Sequence, residues 1–146
     1  MKETVYIQDL NALRTLAAKF ASSLGASGEV IALEGDLGTG KTTFTQALAR
    51  ELGVKRPVTS PTFTLVGEYP LPGTSRRLVH MDLYRLSGEA DLDALGFYEY
   101  IQSGDIVCIE WPDRAGDSIP ENAIRIHFTP GDTEGSRIVE ISRQEK

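Results

Sequence analysis

The eight residues GDLGTGKT at positions 35–42 decide how the rest of this chain is read. They fit the pattern G-x-x-x-x-G-K-[ST], in which glycines let the backbone curl until successive N–H groups converge on phosphate oxygens. The flanks meet the same requirement. Before the loop, Val30-Ile31-Ala32-Leu33 is a short, continuously apolar run, as in a strand buried on both faces. After it, a helix is expected from Lys41 to Leu52, stopped by Gly53. Its N-terminal partial positive charge would face the loop. Lys41 can then reach the β- and γ-phosphates of a nucleotide, and the Thr42 hydroxyl can bind Mg²⁺. The expected ATP-binding stretch is Leu37, Gly38, Thr39, Gly40, Lys41, Thr42 and Thr43.

Such a loop needs acidic partners for its metal. Leu78-Val79-His80-Met81 ends in Asp82, and Ile106-Val107-Cys108-Ile109 ends in Glu110. In an open parallel sheet, the C-terminal strand ends face the ligand crevice. Asp82 and Glu110 are therefore expected to share one Mg²⁺–phosphate group with Thr42, and Lys41, Asp82 and Glu110 form the expected catalytic set. Alternation puts His80 on the face of Asp82, where it either touches a phosphate or is a satisfied buried histidine. Trp111 follows Glu110 directly and either lines the nucleotide site or packs in the core. The segment VKRPVTSPTF at 54–63 holds two prolines and reads as a loop. Thr59, Ser60 and Thr62 are its candidate switch residues, against the alternative of a Pro-stiffened turn with capping hydroxyls. Arg85 is expected to pair with nearby acids, against the alternative of stabilising phosphoryl charge; Cys108 is expected to be an inert packed thiol, and His127 to be structural or exposed.

Working outward, Thr4 to Ile7 reads as an edge strand, and Asp9 as the N-cap of a helix with core residues Leu10, Leu13, Leu16 and Ala17. Thr64 to Tyr69 and Arg77 to Asp82 read as strands, Ser87 to Leu95 and Phe97 to Gln102 as short helices. Ala123 to Phe128 and Arg137 to Ile141 alternate around PGDTEG as a hairpin. The expected class is α/β: a three-layer P-loop NTPase fold with a mostly parallel central sheet and a C-terminal antiparallel hairpin.

At 146 residues, one domain spanning 1–146 is expected, and a chain of this size buries roughly 68–70% of its unfolded surface. One cysteine excludes an intramolecular disulfide and a Cys-based zinc site. No apolar run approaches the ~20 residues of a membrane helix, and MKETVYIQDL holds no signal-peptide core. A cytoplasmic protein without membrane contact is expected. The net charge of −6 lies wholly in residues 74–146, with 8 basic against 14 acidic groups. No basic stripe of the kind that grips a duplex is present. The acidic stretch reads as a solvated face, or as a docking face for a basic partner.

Within phosphate-loop proteins, a GTPase requires an N-K-x-D motif, which is missing. Asp93-Ala94-Leu95-Gly96 spells D-x-x-G but follows a helical pattern. A small-molecule kinase, the alternative reading, usually carries an Arg-rich lid; no arginine cluster follows Arg85. A third reading is a nucleotide-dependent binding module without turnover.

Four blocks, GDLGTGKTTF at 35–44, SPTFTLVGEY at 60–69, HMDLYRL at 80–86 and IEWP at 109–112, resemble the bacterial TsaE (YjeE) ATPases in order and spacing. HMDLYRL and IEWP together are far more specific than the loop alone. The hairpin at about 123–142 matches only in general pattern. The resemblance implies an ATP- and Mg²⁺-binding accessory protein for threonylcarbamoyladenosine formation at position 37 of tRNA. Its ATP hydrolysis would be weak alone and depend on TsaB and TsaD partners, with threonylcarbamoyl transfer assigned to TsaD and tRNA reached only through the complex. It assigns the phosphate and metal roles to Lys41 and Thr42 and matches Asp82 and Glu110 to the family's acidic positions; it leaves open which acid contacts Mg²⁺ directly and which orients water, with Glu110 preferred as the nearer metal ligand.

Overall fold

The structure, a computed structural model, describes residues 2–24, 28–36, 38–59, 61 and 65–143. Among them the strands are β1 (Lys2–Ile7), β2 (Glu29–Glu34), β3 (Val66–Pro70), β4 (Arg77–Asp82), β5 (Ile106–Glu110), β6 (Ile124–Pro130) and β7 (Arg137–Arg143). The helices are α1 (Leu10–Ser23), α2 (Lys41–Glu51), α3 (Glu89–Leu95) and α4 (Phe97–Ile101). The short 3-10 turns Pro112–Arg114 and Gly116–Ser118 follow β5.

The strands form one sheet in the order β1-β7-β6-β2-β5-β4-β3. Strands β6, β2, β5 and β4 are parallel neighbours, while β3 and β7 run against them. Strand β1 is antiparallel to β7 and so points the same way as the central block. The hairpin is thus no appendage: β6 lies directly beside β2, and β7 receives the N-terminal edge strand.

Strand alternation sends side chains to two separate cores. On one face, Ile31, Leu33, Leu78, Ile106 and Cys108 pack with α1 and α2. On the other, Ala32, Val79, Met81, Val107 and Ile109 pack under Leu92, Phe97 and Ile119 from the later helices and turns. Helix, sheet and helix therefore make three layers. Phe44 of α2 joins the first core, with ring centroids 5.8 Å from Phe20 of α1 and 5.9 Å from Phe128 of β6.

Asp9 caps α1, accepting the Ala12 N–H at 2.9 Å. Leu13, Leu16, Ala17 and Phe20 are buried as the spacing requires, but Leu10 is 48% exposed. Leu10 begins the helix and borders an open cleft instead of the sheet. Strand β3 starts at Val66, not at the expected Thr64, which lies outside the described residues. Leu65 just before it takes a left-handed φ of 63°, and its carbonyl accepts the Asp82 N–H at 3.0 Å. Ser87 stays outside α3 because its N–H and hydroxyl both donate to the Asp91 carboxylate. The D-x-x-G tetrad is the end of α3, with Gly96 as its left-handed cap.

At the strand ends opposite the phosphate loop, Arg77 holds Asp105 by Nε at 2.9 Å, Nη2 at 2.7 Å and its backbone N–H at 2.9 Å. Glu68 joins this group through Arg77 and through the Tyr100 hydroxyl. That network fastens β3, β4 and the entry to β5 to one another.

Candidate functional site

Strand β2 delivers the loop and α2 leaves it without an intervening residue. A side chain at Gly35 would put its Cβ 2.6 Å from the Phe128 carbonyl, at a φ of +139°. Glycine is the residue that fits there. The Thr39 hydroxyl donates to the Asp36 carbonyl at 2.6 Å, closing the loop on itself. The first amides of α2 have no acceptor within the helix and are free for an anion.

Lys41 is buried, and its ammonium donates to the Gly35 carbonyl at 2.6 Å. It also lies 3.8 Å from the centroid of the Trp111 ring. Burial holds the Lys41 pKa below its ordinary value, although Glu110 and Asp82 favour the charged form. The ring of Trp111 in turn meets that of Tyr84 at 4.9 Å, and Arg114 sits over Tyr84. Trp111 takes a left-handed φ of 59°, which turns the chain out of β5 into the Pro112–Arg114 turn.

The acids come together as the strand ends demand. Asp82 and Glu110 are register partners across β4 and β5, and Glu110 is also the partner of Leu33 on β2. Glu110 is only 4% exposed. A single oxygen, its Oε2, accepts the Thr42 hydroxyl at 2.8 Å and meets His80 Nε2 at 2.6 Å. Burial alone would raise the Glu110 pKa, but His80, Thr42 and Lys41 outweigh it and hold the carboxyl below its usual range. Asp82 goes the other way. Burial and the neighbouring Glu110 charge raise its pKa, against a hydrogen bond from the Tyr84 N–H at 3.0 Å. One carboxylate is thus held ionised while the other is easier to protonate. His80 is fully buried, with its Nδ1 lacking a hydrogen-bond partner among the described residues. It is a neighbour of Glu110, pointing at the carboxylate and not outward.

Lys41, Thr42, Asp82, Glu110 and Trp111 therefore stand together, beside the Gly38, Thr39 and Gly40 backbone. Thr43 lies one residue further along α2 and lines the cleft toward α1 with Leu10 and Asp9. Thr59 is exposed, and its N–H faces the Tyr69 hydroxyl at 3.4 Å; no described contact joins it to Lys41 or Glu110. Leu37, Ser60 and Thr62 lie outside the described residues. Arg85 is exposed and makes no ion pair among the described residues, contrary to expectation: it follows Asp82 out of the sheet into solvent, where pairing gains little. Cys108 is fully buried, with its thiol pKa pushed up to about 12 by burial, and is inert as expected. His127 is exposed.

Sequence reasoning missed Arg137. From β7 its guanidinium reaches the loop, Nε donating to the Thr39 carbonyl at 2.7 Å and Nη2 to the Gly38 carbonyl at 2.9 Å. Alternation marked the strand but gave no signal that this arginine meets a loop 98 residues away.

Comparison with known proteins places the chain among described families and folds. The family profile described as "Threonylcarbamoyl adenosine biosynthesis protein TsaE" matches residues 7–139. A protein of Bacillus subtilis named tRNA threonylcarbamoyladenosine biosynthesis protein TsaE is 40% identical over 126 residues, covering 84% of this chain and 73% of the relative. Its namesake in Nostoc sp. is 41% identical over 143 residues, covering 94% and 84%. The one in Aquifex aeolicus is 48% identical over 101 residues, covering 68% of each chain. Among solved structures, the crystal structure of Bacillus subtilis YdiB superposes with a TM-score of 0.76 at 28% identity, covering 98% of this chain and 86% of that one.

Proposed function

The chain belongs to the TsaE family of tRNA threonylcarbamoyladenosine biosynthesis proteins, and from that membership we propose that it is a P-loop ATPase driving a step of that modification. The observation that carries the reading is the Thr42–Glu110 hydrogen bond at the start of α2, with the Lys41 ammonium on the ring of Trp111 and Asp82 the register partner of Glu110. The donors offered to a metal are a hydroxyl and two carboxylates. These hard oxygen ligands suit Mg²⁺, which takes one or two carboxylates and leaves its other positions to phosphates and water. Mg²⁺ supplies charge neutralisation at the β- and γ-phosphates.

The protein's own groups do the rest. Lys41 leaves the Gly35 carbonyl and the Trp111 ring to pair with phosphate oxygens. The loop backbone and the first amides of α2 bind the phosphates. Thr42, Glu110 and Asp82 would hold the metal, with Glu110 the nearer ligand. The nucleoside takes the cleft of about 210 Å³ beside the loop, between Asp9 and Leu10 of the α1 entry and Gly135 of the β6–β7 turn. The partners are TsaB and TsaD, with TsaD performing the threonylcarbamoyl transfer and tRNA reached through the complex. Exposed acids at Asp93, Glu99, Asp113, Asp117 and Glu121, on the layer away from α1 and α2, suit a basic partner face. The site of action is the cytoplasm. No described helix is long and apolar enough to cross a membrane.

The test is phosphate release from ATP by the chain alone and with purified TsaB and TsaD, together with co-purification with and without ATP. Partner-stimulated release, abolished by Lys41→Ala in a folded protein, is expected. Transfer to a small acceptor would assign a kinase instead, and tight ATP binding without turnover a binding module.

A further inference from the structure

Two glycines, Gly38 and Gly40, set the shape of the phosphate loop at φ angles of +80° and +108°. Glycine reaches these angles freely but leaves them as freely, so something else must hold the loop in its curl. Within the loop, the Thr39 hydroxyl and N–H both turn back to the Asp36 carbonyl, at 2.6 and 3.3 Å. The carbonyls of Gly38 and Thr39 are held from outside by Arg137. Its Nε and Nη2, the two parallel donors on one edge of the guanidinium, take one carbonyl each. Its Nη1 donates to the Ser136 carbonyl at 2.9 Å and so fixes the plane of the group.

The geometry of the peptide unit gives this contact a consequence. In a trans peptide, C=O and the following N–H point in opposite directions. A clamp that draws the Gly38 and Thr39 carbonyls toward β7 sets the Gly40 N–H, and the Thr39 N–H that the Asp36 carbonyl accepts, away from it. We propose that Arg137 is a positioning residue that pre-organises the phosphate loop for a polyphosphate by fixing these two peptide planes. It acts through the loop backbone. This rests on the reading of the loop as a nucleotide site, but the clamp itself exists without nucleotide. Only arginine carries two parallel donors in a rigid fork; a lysine can hold one carbonyl at a time.

The experiment compares the unaltered chain with Arg137→Gln and Arg137→Lys. Three quantities are read: hydrogen exchange of the amides at 38–43 in the ligand-free protein, the melting temperature, and the Kd for Mg-ATP and ADP by calorimetry. Faster loop exchange in both variants is expected, with exchange in β2 and β5 unchanged. Nucleotide Kd should rise about tenfold in Arg137→Gln and by less in Arg137→Lys, as for the loss of charge-assisted hydrogen bonds. If Arg137→Gln folds poorly, Arg137→Lys carries the same comparison with charge retained. Unchanged loop exchange in a folded variant overturns the proposal, whatever happens to affinity, since an affinity loss alone would mean direct contact with the nucleotide. Faster exchange with unaltered Kd also overturns it. An unaltered chain that binds no nucleotide refutes the functional reading instead, and the exchange comparison still decides whether the clamp orders the loop.

Discussion

Replacing Asp82 and Glu110 singly and together tests whether two carboxylates serve one metal. They are register partners on adjacent strands, so their backbones stand about 4.8 Å apart. Two carboxylate charges roughly 5 Å apart at an effective dielectric constant of about 20 repel by about 3 kcal/mol. Asp82 is half-buried, which lowers the figure to about 2–3 kcal/mol. A shared cation relieves that repulsion, and either acid alone loses most of the benefit. Removing one group that stabilises developing charge costs about 100-fold in kcat, or about 2.7 kcal/mol. Independent sites would multiply to about 10⁴ in the double variant. A shared metal predicts a double variant near 10², the coupling cancelling the second loss. Glu110→Gln is preferred to Glu110→Ala because the amide oxygen still accepts from Thr42 and His80; losing that acceptor strands the buried His80 donor and the part-buried Thr42 hydroxyl at about 1–3 kcal/mol of stability. The assay is phosphate release under saturating ATP with the TsaB and TsaD partners present, for Asp82→Ala, Glu110→Gln and the pair. Losses that multiply, or a Glu110→Gln protein with normal turnover, would refute a common metal.

Further outcomes follow from the same geometry. Burial and Glu110 raise the Asp82 pKa, so its ionisation opposes folding as pH climbs from the unfolded value near 3.8 through the raised folded value. Asp82→Asn should therefore melt higher than the parent at pH 7, with the gap closing toward pH 4, while turnover falls; equal melting temperatures at pH 7 would count against it. Trp111 is the sole tryptophan and carries the Lys41 ammonium on its ring. Its fluorescence should shift when Mg-ATP draws Lys41 away, and Lys41→Ala should start from a different spectrum and show no such shift. Asp105, held below its normal pKa because Arg77 and Ser103 outweigh burial, contributes stability above about pH 4 that is lost as pH falls through the depressed value. Asp105→Ala should cost roughly 2 kcal/mol at pH 7 in urea melts, discounted for the partly exposed Arg77, and the difference should shrink in acid.

Much of the site was legible because its logic is local. The loop pattern fixes Lys41 and Thr42 at the start of a helix, and apolar runs ending in an acid place Asp82 and Glu110 at strand tips. The His80–Glu110 contact was half legible. Alternation put His80 on the face of Asp82, but its partner depends on the register of β4 against β5, which strand composition does not encode. The position of β6 beside β2 was hidden for the same reason: alternation marks a hairpin but not its neighbours. Leu10 was misplaced because helical spacing reports the apolar stripe and not where the stripe runs past the sheet edge. Arg137 gave no signal, since its contact joins two segments far apart in the chain and matches no short motif.

The sheet order also sets a timetable for synthesis. Among the described residues strand β1 pairs with β7 alone, and the phosphate loop waits for an arginine 98 residues downstream of Thr39. At roughly 5–20 residues per second, a nascent chain carries its loop for about 5–20 s before the closing strand emerges. During that interval the first edge of β7 does not exist, and β1 has nothing to pair with. Strand β7 therefore closes the sheet over β1 and braces the loop through Arg137 in one event.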